Sequence, residues 1–281
     1  MKTAFVLSGG GAKGAFQVGA LLYLCKIKKI VPDIVVGIST GSLQGLAVAQ
    51  QDVDLLEQVW RGIKKDSDIY TKSVFNYIMC LLGLRNGIYG FDGLKKILRR
   101  FFSKEKLLAS PTEFYAGKVS LQSGNIVYVG KQNMTVEDIL SSCTIPVFFP
   151  TVYSIGQQWV DGGVRDIVPL KKAIDSGADV IYVILCSPKC TNFVYKKYKN
   201  VVEVLERTLD VLLNEIYIND IETAERINDM IDKFGPFGNY RKIDIKVIEP
   251  QFDITDSLEF NPSKIKRGID HGIECARKVV P

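Results

Sequence analysis

Ser39 is the middle residue of Gly37-Ile38-Ser39-Thr40-Gly41, directly after the apolar run Ile34-Val35-Val36. A serine with glycine two residues away on each side, preceded by a strand-like run, confines the chain to a sharp strand–turn–helix. The two backbones approach each other there and leave no room for flanking side chains. Beyond the turn, Leu43, Leu46, Ala47 and Gln50 recur at helical spacing. The serine therefore stands at a helix N-terminus, where free N–H groups favour developing negative charge. This context predicts a nucleophilic serine and the chemistry of a hydrolase.

The rest of the chain supplies the frame for such an elbow. Lys2–Ser8 reads as a strand, Gly9-Gly10-Gly11 as a turn, and Ala12 to Lys28 as a helix with Ala15, Val18, Leu21, Leu22 and Cys25 on one face. Ile34–Gly37 is the next strand, so the segment is a βαβ unit with parallel strands. Residues 52–110 read as mostly helical, broken at Gly62, Gly83, Gly87 and Gly90. Val119–Gln122 and Ile126–Val129 read as a hairpin, and Thr135 with Asp138 as the capped start of a short helix that stops before Pro146. Trp159-Val160 ends a strand that leads into Asp161-Gly162-Gly163. A helix at Pro169–Ser176, a buried strand at Val180–Cys186, a long amphipathic helix at Val201–Ile231, a strand at Asp244–Ile248 and a helix at Pro262–Val280 complete the pattern. These elements predict an α/β fold: three layers, α/β/α, around a mainly parallel central sheet. No repeat or linker interrupts residues 1–281, so one domain is expected, with a helical lid or cap at about 66–110.

Composition narrows the function. At 281 residues and 47% apolar the chain can bury a large core. Its longest wholly apolar stretch, Val180–Cys186, is far short of the roughly 18 residues of a membrane span. Thr3–Leu7 after Lys2 is too short for a signal-peptide core, so the chain reads as unprocessed and cytoplasmic, at most peripheral to a membrane. A net charge of +5 permits attraction to an anionic membrane surface, and no nucleic-acid pattern is present. The six cysteines form no Cys-x-x-Cys pair and have no nearby His, which reads as reduced, mostly buried thiols and no metal site. No cofactor is called for.

Gly9-Gly10-Gly11-Ala12-Lys13-Gly14 fits G-x-G-x-x-G after the first strand. A dinucleotide site would want an acidic residue at the end of the second strand, but that position holds Gly37-Ile38-Ser39. Nor is it a Walker loop, because Lys13 is followed by glycine. The alternative use is a row of N–H groups able to hold an oxyanion. Loops after parallel strands one and two leave the same sheet edge, so this loop faces Ser39. A serine also needs a base. The order Ser39, Asp161, His271 fits an α/β-hydrolase triad, but His271 is the only histidine. On a helical wheel Ile265, Ile269, Ile273, Ala276 and Val280 cluster, while His271 falls among Arg267, Glu274 and Lys278 on the polar side. It reads as a solvated surface residue. Asp161 remains as a base if partly desolvated.

With these blocks in place, the chain resembles the patatin-like phospholipase family. Gly9–Gly14 resembles the family's oxyanion loop, Gly37–Gly41 its nucleophile elbow and Asp161-Gly162-Gly163 its Asp-Gly-Gly block. Ser141–Pro150 resembles the proline-rich block before that aspartate. The resemblance implies a Ser–Asp dyad with Ser39 as nucleophile and Asp161 as base. Gly9, Gly10, Gly11 and Ala12 would form the oxyanion hole, and Gly14, Gly37, Gly41, Gly162 and Gly163 would shape the motifs. It implies calcium-independent hydrolysis of phospholipid or other lipid esters, as a phospholipase A or lysophospholipase does. Lys13 stands where many members carry arginine and is the implied anion contact. The rival readings are a His271-dependent esterase and a non-catalytic lipid-binding module.

Val74–Leu84 is strongly apolar and is followed by Lys95, Lys96, Arg99 and Arg100. A lid or transient membrane contact would have this composition. So would a helix covering the sheet beside a solvated charged face, and composition favours that second reading. Lys196, Lys197 and Lys199 read as an exposed loop.

Overall fold

The computed structural model describes residues 1–189, 197–235 and 241–281, with only the backbone of Tyr217. Lys196 and Cys190 therefore lie outside the described residues. In chain order the strands are β1 (Thr3–Leu7), β2 (Ile34–Ile38), β3 (Thr71–Lys72), β4 (Tyr89–Gly90), β5 (Glu113–Ser120), β6 (Ile126–Gly130), β7 (Val152–Ser154), β8 (Gln157–Asp161), β9 (Val180–Ile184) and β10 (Asp244–Ile248). The helices are α1 (Ala15–Leu21), α2 (Thr40–Ala49), α3 (Val53–Gly62), α4 (Val74–Leu81), α5 (Asp92–Phe101), α6 (Lys104–Ala109), α7 (Val136–Ser142), α8 (Leu170–Asp175), α9 (Val201–Phe234) and α10 (Pro262–Val279). A 3₁₀ turn (Gly11–Gly14) precedes α1 and a π-helical segment (Leu22–Ile27) extends it.

The main sheet runs in the order β10-β9-β1-β2-β5-β8-β7, with β6 also on β5. β1 pairs in parallel with β2 and β9, β9 with β10, and β2 with β5. The antiparallel pairs β5–β6, β5–β8 and β7–β8 close the other edge. β1 shows why the sheet must be covered on both faces. Phe5 and Leu7 enter one apolar cluster with α1, α2, α3 and α10, while Ala4 and Val6 enter a second with α8 and Ile221 of α9. Alternate residues of a strand point to opposite faces, and all four are fully buried. The result is the expected three-layer α/β/α arrangement.

Several local readings shift. The first strand of the hairpin begins at Glu113, not Val119, and turns after Ser120. Its middle residues Gly117 and Lys118 break the alternation, and Lys118 can be buried because it pairs with Asp138 at 2.6 Å and sits 4.0 Å over the Trp159 ring. Asp138 also completes a full capping box with Thr135. The larger correction concerns α4. It is not a helix covering the sheet: Val74, Phe75 and Leu81 are 77, 65 and 87% exposed, and none of its residues is buried. The described cysteines are free thiols, and Cys143, Cys186 and Cys275 are buried. Among the described residues no helix is long and apolar enough to cross a membrane.

Candidate active site

Glycine neighbours make the elbow sterically accessible. A Cβ on Gly37 would meet the Gly41 carbonyl at 2.3 Å, and one on Gly41 would meet the Leu7 carbonyl at 2.3 Å. Between them Ser39 takes φ 55° and ψ −127°, the left-handed half of the map that a side chain rarely occupies. Such a conformation costs about 1–3 kcal/mol and persists only where the surroundings over-determine it. Here they do. The Ser39 N–H donates to Ser142 Oγ at 3.0 Å. The Ser39 carbonyl accepts from the Ser42 N–H, Ser42 Oγ and Cys143 Sγ.

Asp161 is the last residue of β8, 4% exposed. Its N–H donates to the Thr144 carbonyl at 2.9 Å, and its Oδ1 accepts from the Gly163 N–H at 2.8 Å. Ser142, Cys143 and Thr144 belong to the block that precedes Asp161 in sequence. One short segment thus clamps both the Ser39 peptide and the Asp161 backbone. The sequence marks that block but not its task, for which the signal is the run of small hydroxyl and thiol side chains, Ser141-Ser142-Cys143-Thr144. Burial drives the Asp161 carboxyl up to about 7, against the partial opposition of hydrogen bonds from the Ser39 hydroxyl and the Gly163 N–H. A carboxylate in that range can accept a proton near neutral pH.

The glycine loop meets Ser39 as the parallel sheet demands: a Cβ on Gly9 would lie 3.2 Å from Ser39 Cβ. Its N–H groups divide unequally. Gly9 donates to Ile167 O at 3.2 Å and Ala12 to Ser257 O at 2.7 Å. Ala12, expected among the oxyanion donors, is therefore already engaged, as is Gly9. Gly10 and Gly11 donate no hydrogen bond among the described residues. Gly11 has φ +55°, and a Cβ there would meet Ser257 O at 2.1 Å, so the loop can be held this tightly only by glycine. Gly14 lies under Thr40, and Gly162 and Gly163 form the turn after Asp161.

Two other expectations change. Lys13 is buried and pairs with Asp210 of α9 at 3.2 Å, while Asp210 also accepts from Ser257 Oγ at 2.9 Å. Its charge is balanced from within the protein. His271 is not solvated: it is 7% exposed, stacked on Phe252 with centroids 4.5 Å apart and packed near Phe16. Its Nε2 accepts from the Gln251 N–H at 3.2 Å. Its depression is lined by residues 251–274, away from Ser39, so it is not joined to the serine.

Two spaces meet at Ser39. A cleft of about 90 Å³ is lined by Gly9–Gly11, Lys13, Asp161 and the Glu206, Arg207, Asp210 and Asn214 side of α9. Behind the serine, a cavity of about 80 Å³ is lined almost wholly by apolar side chains of α3 and α5, with Phe149, Leu258 and Phe260. One chamber is almost wholly apolar and the other sets the polar groups of Lys13, Glu206, Arg207 and Asp210 among apolar walls, an arrangement that suits an amphiphile whose reactive bond lies at Ser39.

Among solved structures the chain is similar to VipD from Legionella pneumophila, at 12% identity and a TM-score of 0.49, over 99% of this chain and 66% of that one. The patatin-like phospholipase family model matches residues 5–174, from β1 through the glycine loop, the elbow and Asp161 into α8. The chain belongs to the patatin-like phospholipase family.

Proposed function

We propose that this chain hydrolyses carboxylic esters of phospholipids or lysophospholipids through a Ser39–Asp161 dyad, without calcium. The observation that carries the reading is a strained serine hydrogen-bonded to a buried carboxyl group whose proton affinity is tuned to about 7. Asp161 takes the Ser39 proton as Oγ attacks the ester carbonyl. The carbonyl electrons move to oxygen, and the resulting oxyanion is met by the Gly10 and Gly11 N–H groups, with Gly9 and Ala12 holding the loop. Collapse expels the alcohol, which leaves with the proton from Asp161. Water then repeats the cycle on the acyl-serine: Asp161 takes its proton, hydroxide adds, and Ser39 leaves as the regained alcohol. Backbone donors meet the charge on the oxyanion, so no step calls on a metal.

The apolar cavity suits the acyl chain, and the polar groups on the α9 side of the cleft suit the glycerol and head group. Arg207 is better suited than Lys13 to meet a phosphodiester, because Lys13 is committed to Asp210 and Arg207 has no ion pair among the described residues. Such a lipid must be drawn from a membrane or micelle, so transient contact with a lipid surface belongs to this reading.

The test is a fluorophosphonate probe on wild type and Ser39→Ala, with the adduct mapped by mass spectrometry. Labelling at Ser39 that vanishes in the variant is expected, with turnover unchanged by a chelator. A folded wild type that stays unlabelled would leave a lipid-binding module as the better account.

A further inference from the structure

Ser8 lies between the end of β1 and the glycine loop and is buried. The parallel ladder of β1 and β9 changes partners at this residue. The Ser8 N–H donates to the Ile184 carbonyl at 3.2 Å, as the ladder requires. The next rung would run from the Cys186 N–H to the Ser8 carbonyl. Instead the Cys186 N–H donates to the Ser8 hydroxyl oxygen at 2.9 Å. The Ser8 carbonyl accepts from Gln17 Nε2 at 3.0 Å, and that same amide nitrogen donates to the Ile184 carbonyl at 2.8 Å.

A hydroxyl has one hydrogen to give. Ser8 Oγ gives it to the Gly9 carbonyl at 3.1 Å. The Gly9–Gly10 peptide is trans, and a trans peptide points its C=O and its N–H in opposite directions. Holding the Gly9 carbonyl therefore sets the direction of the Gly10 N–H, which donates no hydrogen bond among the described residues. Gly10 itself lines the cleft beside Ser39. This peptide needs an anchor, because it lies between two glycines and no Cβ resists its rotation. The next peptide, Gly10–Gly11, is held by the backbone alone: the Gly10 carbonyl accepts from the Lys13 N–H at 3.1 Å. The direction of the Gly10 N–H thus depends on which side chain stands at position 8, whereas that of the Gly11 N–H does not. The Cys186 N–H, the Ser8 hydroxyl and the Gly9 carbonyl also form one continuous hydrogen-bonded chain, in which each bond polarises the next.

We propose that Ser8 is a positioning residue for the hydrolysis: its hydroxyl, fixed by the end of β9, holds the Gly9–Gly10 peptide so that the Gly10 N–H meets the oxyanion formed at Ser39. The inference rests on the lipid-ester reading above and adds to it the side chain that aims one of its two backbone donors. The other anchors of the loop, Gly9 N–H on the Ile167 carbonyl and Ala12 N–H on the Ser257 carbonyl, bypass the hydroxyl and stay in place without it.

The test compares wild type with Ser8→Ala, Ser8→Thr and Ser8→Val, with rates counted per serine titrated to completion by a fluorophosphonate, so that unfolded protein does not enter. Thr and Val have nearly the same shape and differ by the hydroxyl, which separates aiming from packing. Loss of an oxyanion donor costs about a hundredfold to a thousandfold in kcat, and a loosened donor should cost less, about tenfold to a hundredfold. Ser8→Ala and Ser8→Val are expected to lose kcat by that factor with KM within about twofold of wild type, because the contact is made only in the transition state. Ser8→Thr should retain at least about tenfold more kcat than Ser8→Val. The inhibition constant of a long-chain trifluoromethyl ketone, which adds to the serine as a tetrahedral oxyanion, should rise by the same factor as kcat/KM falls. The midpoint of the pH–rate profile, set by Asp161, should not move. Unchanged kcat in Ser8→Ala overturns the proposal. So does a kcat loss with unchanged ketone inhibition, or a Ser8→Thr variant as slow as Ser8→Val. A wild type that neither cleaves esters nor binds the ketone ends the hydrolase reading and this inference with it, whereas an active wild type matched by Ser8→Ala ends the inference alone.

Discussion

Replacing Asp161 by Asn should abolish turnover and yet stabilise the fold, by an amount that grows with pH. Burial holds the carboxyl at about 7 in the folded chain, against about 3.9 when unfolded. The folded value is raised, so the fold favours the protonated acid. Its favourable contribution is complete below about pH 3.9 and is lost as pH rises through about 7. At about 1.4 kcal/mol per pH unit, ionisation costs the wild type about 2 kcal/mol at about pH 5.5 and about 4 kcal/mol at about pH 8. Asn does not ionise, and its amide oxygen can still accept from the Gly163 N–H. Relative to wild type the variant should therefore gain about 2 kcal/mol between those two pH values, a change in the Tm difference of about 4–8 °C for a chain of this size. The assay is thermal unfolding of both proteins by circular dichroism at the two pH values. A Tm difference independent of pH, or one that shrinks toward alkaline pH, would refute the burial argument. In the wild type, kcat/KM should rise with pH around a midpoint near 7, since the base must be ionised to accept the Ser39 proton.

Three further outcomes follow from the site. Ser142→Ala strips the Ser39 N–H of its acceptor and should cost about 1–3 kcal/mol of stability, with slower turnover at an unchanged pH midpoint, measured by chemical denaturation and a pH–rate profile. Ile97→Trp, which narrows the apolar cavity, should depress hydrolysis of long-chain esters about tenfold while leaving a butyrate ester nearly untouched, measured as the ratio of the two rates. Arg207→Gln should raise KM for a phospholipid in mixed micelles by about tenfold without altering turnover of an uncharged ester; an equal effect on both would remove the head-group role.

Where a feature depends on neighbours in sequence, the reading of residues came close. The elbow glycines, the Thr135–Asp138 cap, β10 and α10 rest on local sterics, capping and periodicity, which act over a few residues. The βαβ start also forced the glycine loop and Ser39 to one sheet edge. Elements with mixed patterns were harder. The sequence pattern shows only the end of β5 because Lys118 sits inside it, and a buried lysine is intelligible only beside Asp138. The composition of α4 favours a covering helix over a lid, yet the helix is exposed, because composition alone does not tell burial from exposure.

By itself the sequence determined the α/β class, the sharp turn at Ser39, the glycine-rich loop after β1 and the aspartate that ends β8. These are fixed by backbone sterics and by the order of short elements, so they survive without knowledge of the rest. Tertiary structure alone decided how the groups around them are spent. Lys13 finds Asp210, 197 residues away, and Ala12 gives its N–H to Ser257. His271 is covered by Phe252, so that a polar-looking helix face becomes interior. The same packing buries Asp161, and only that desolvation lifts the carboxyl of an ordinary turn aspartate to about 7.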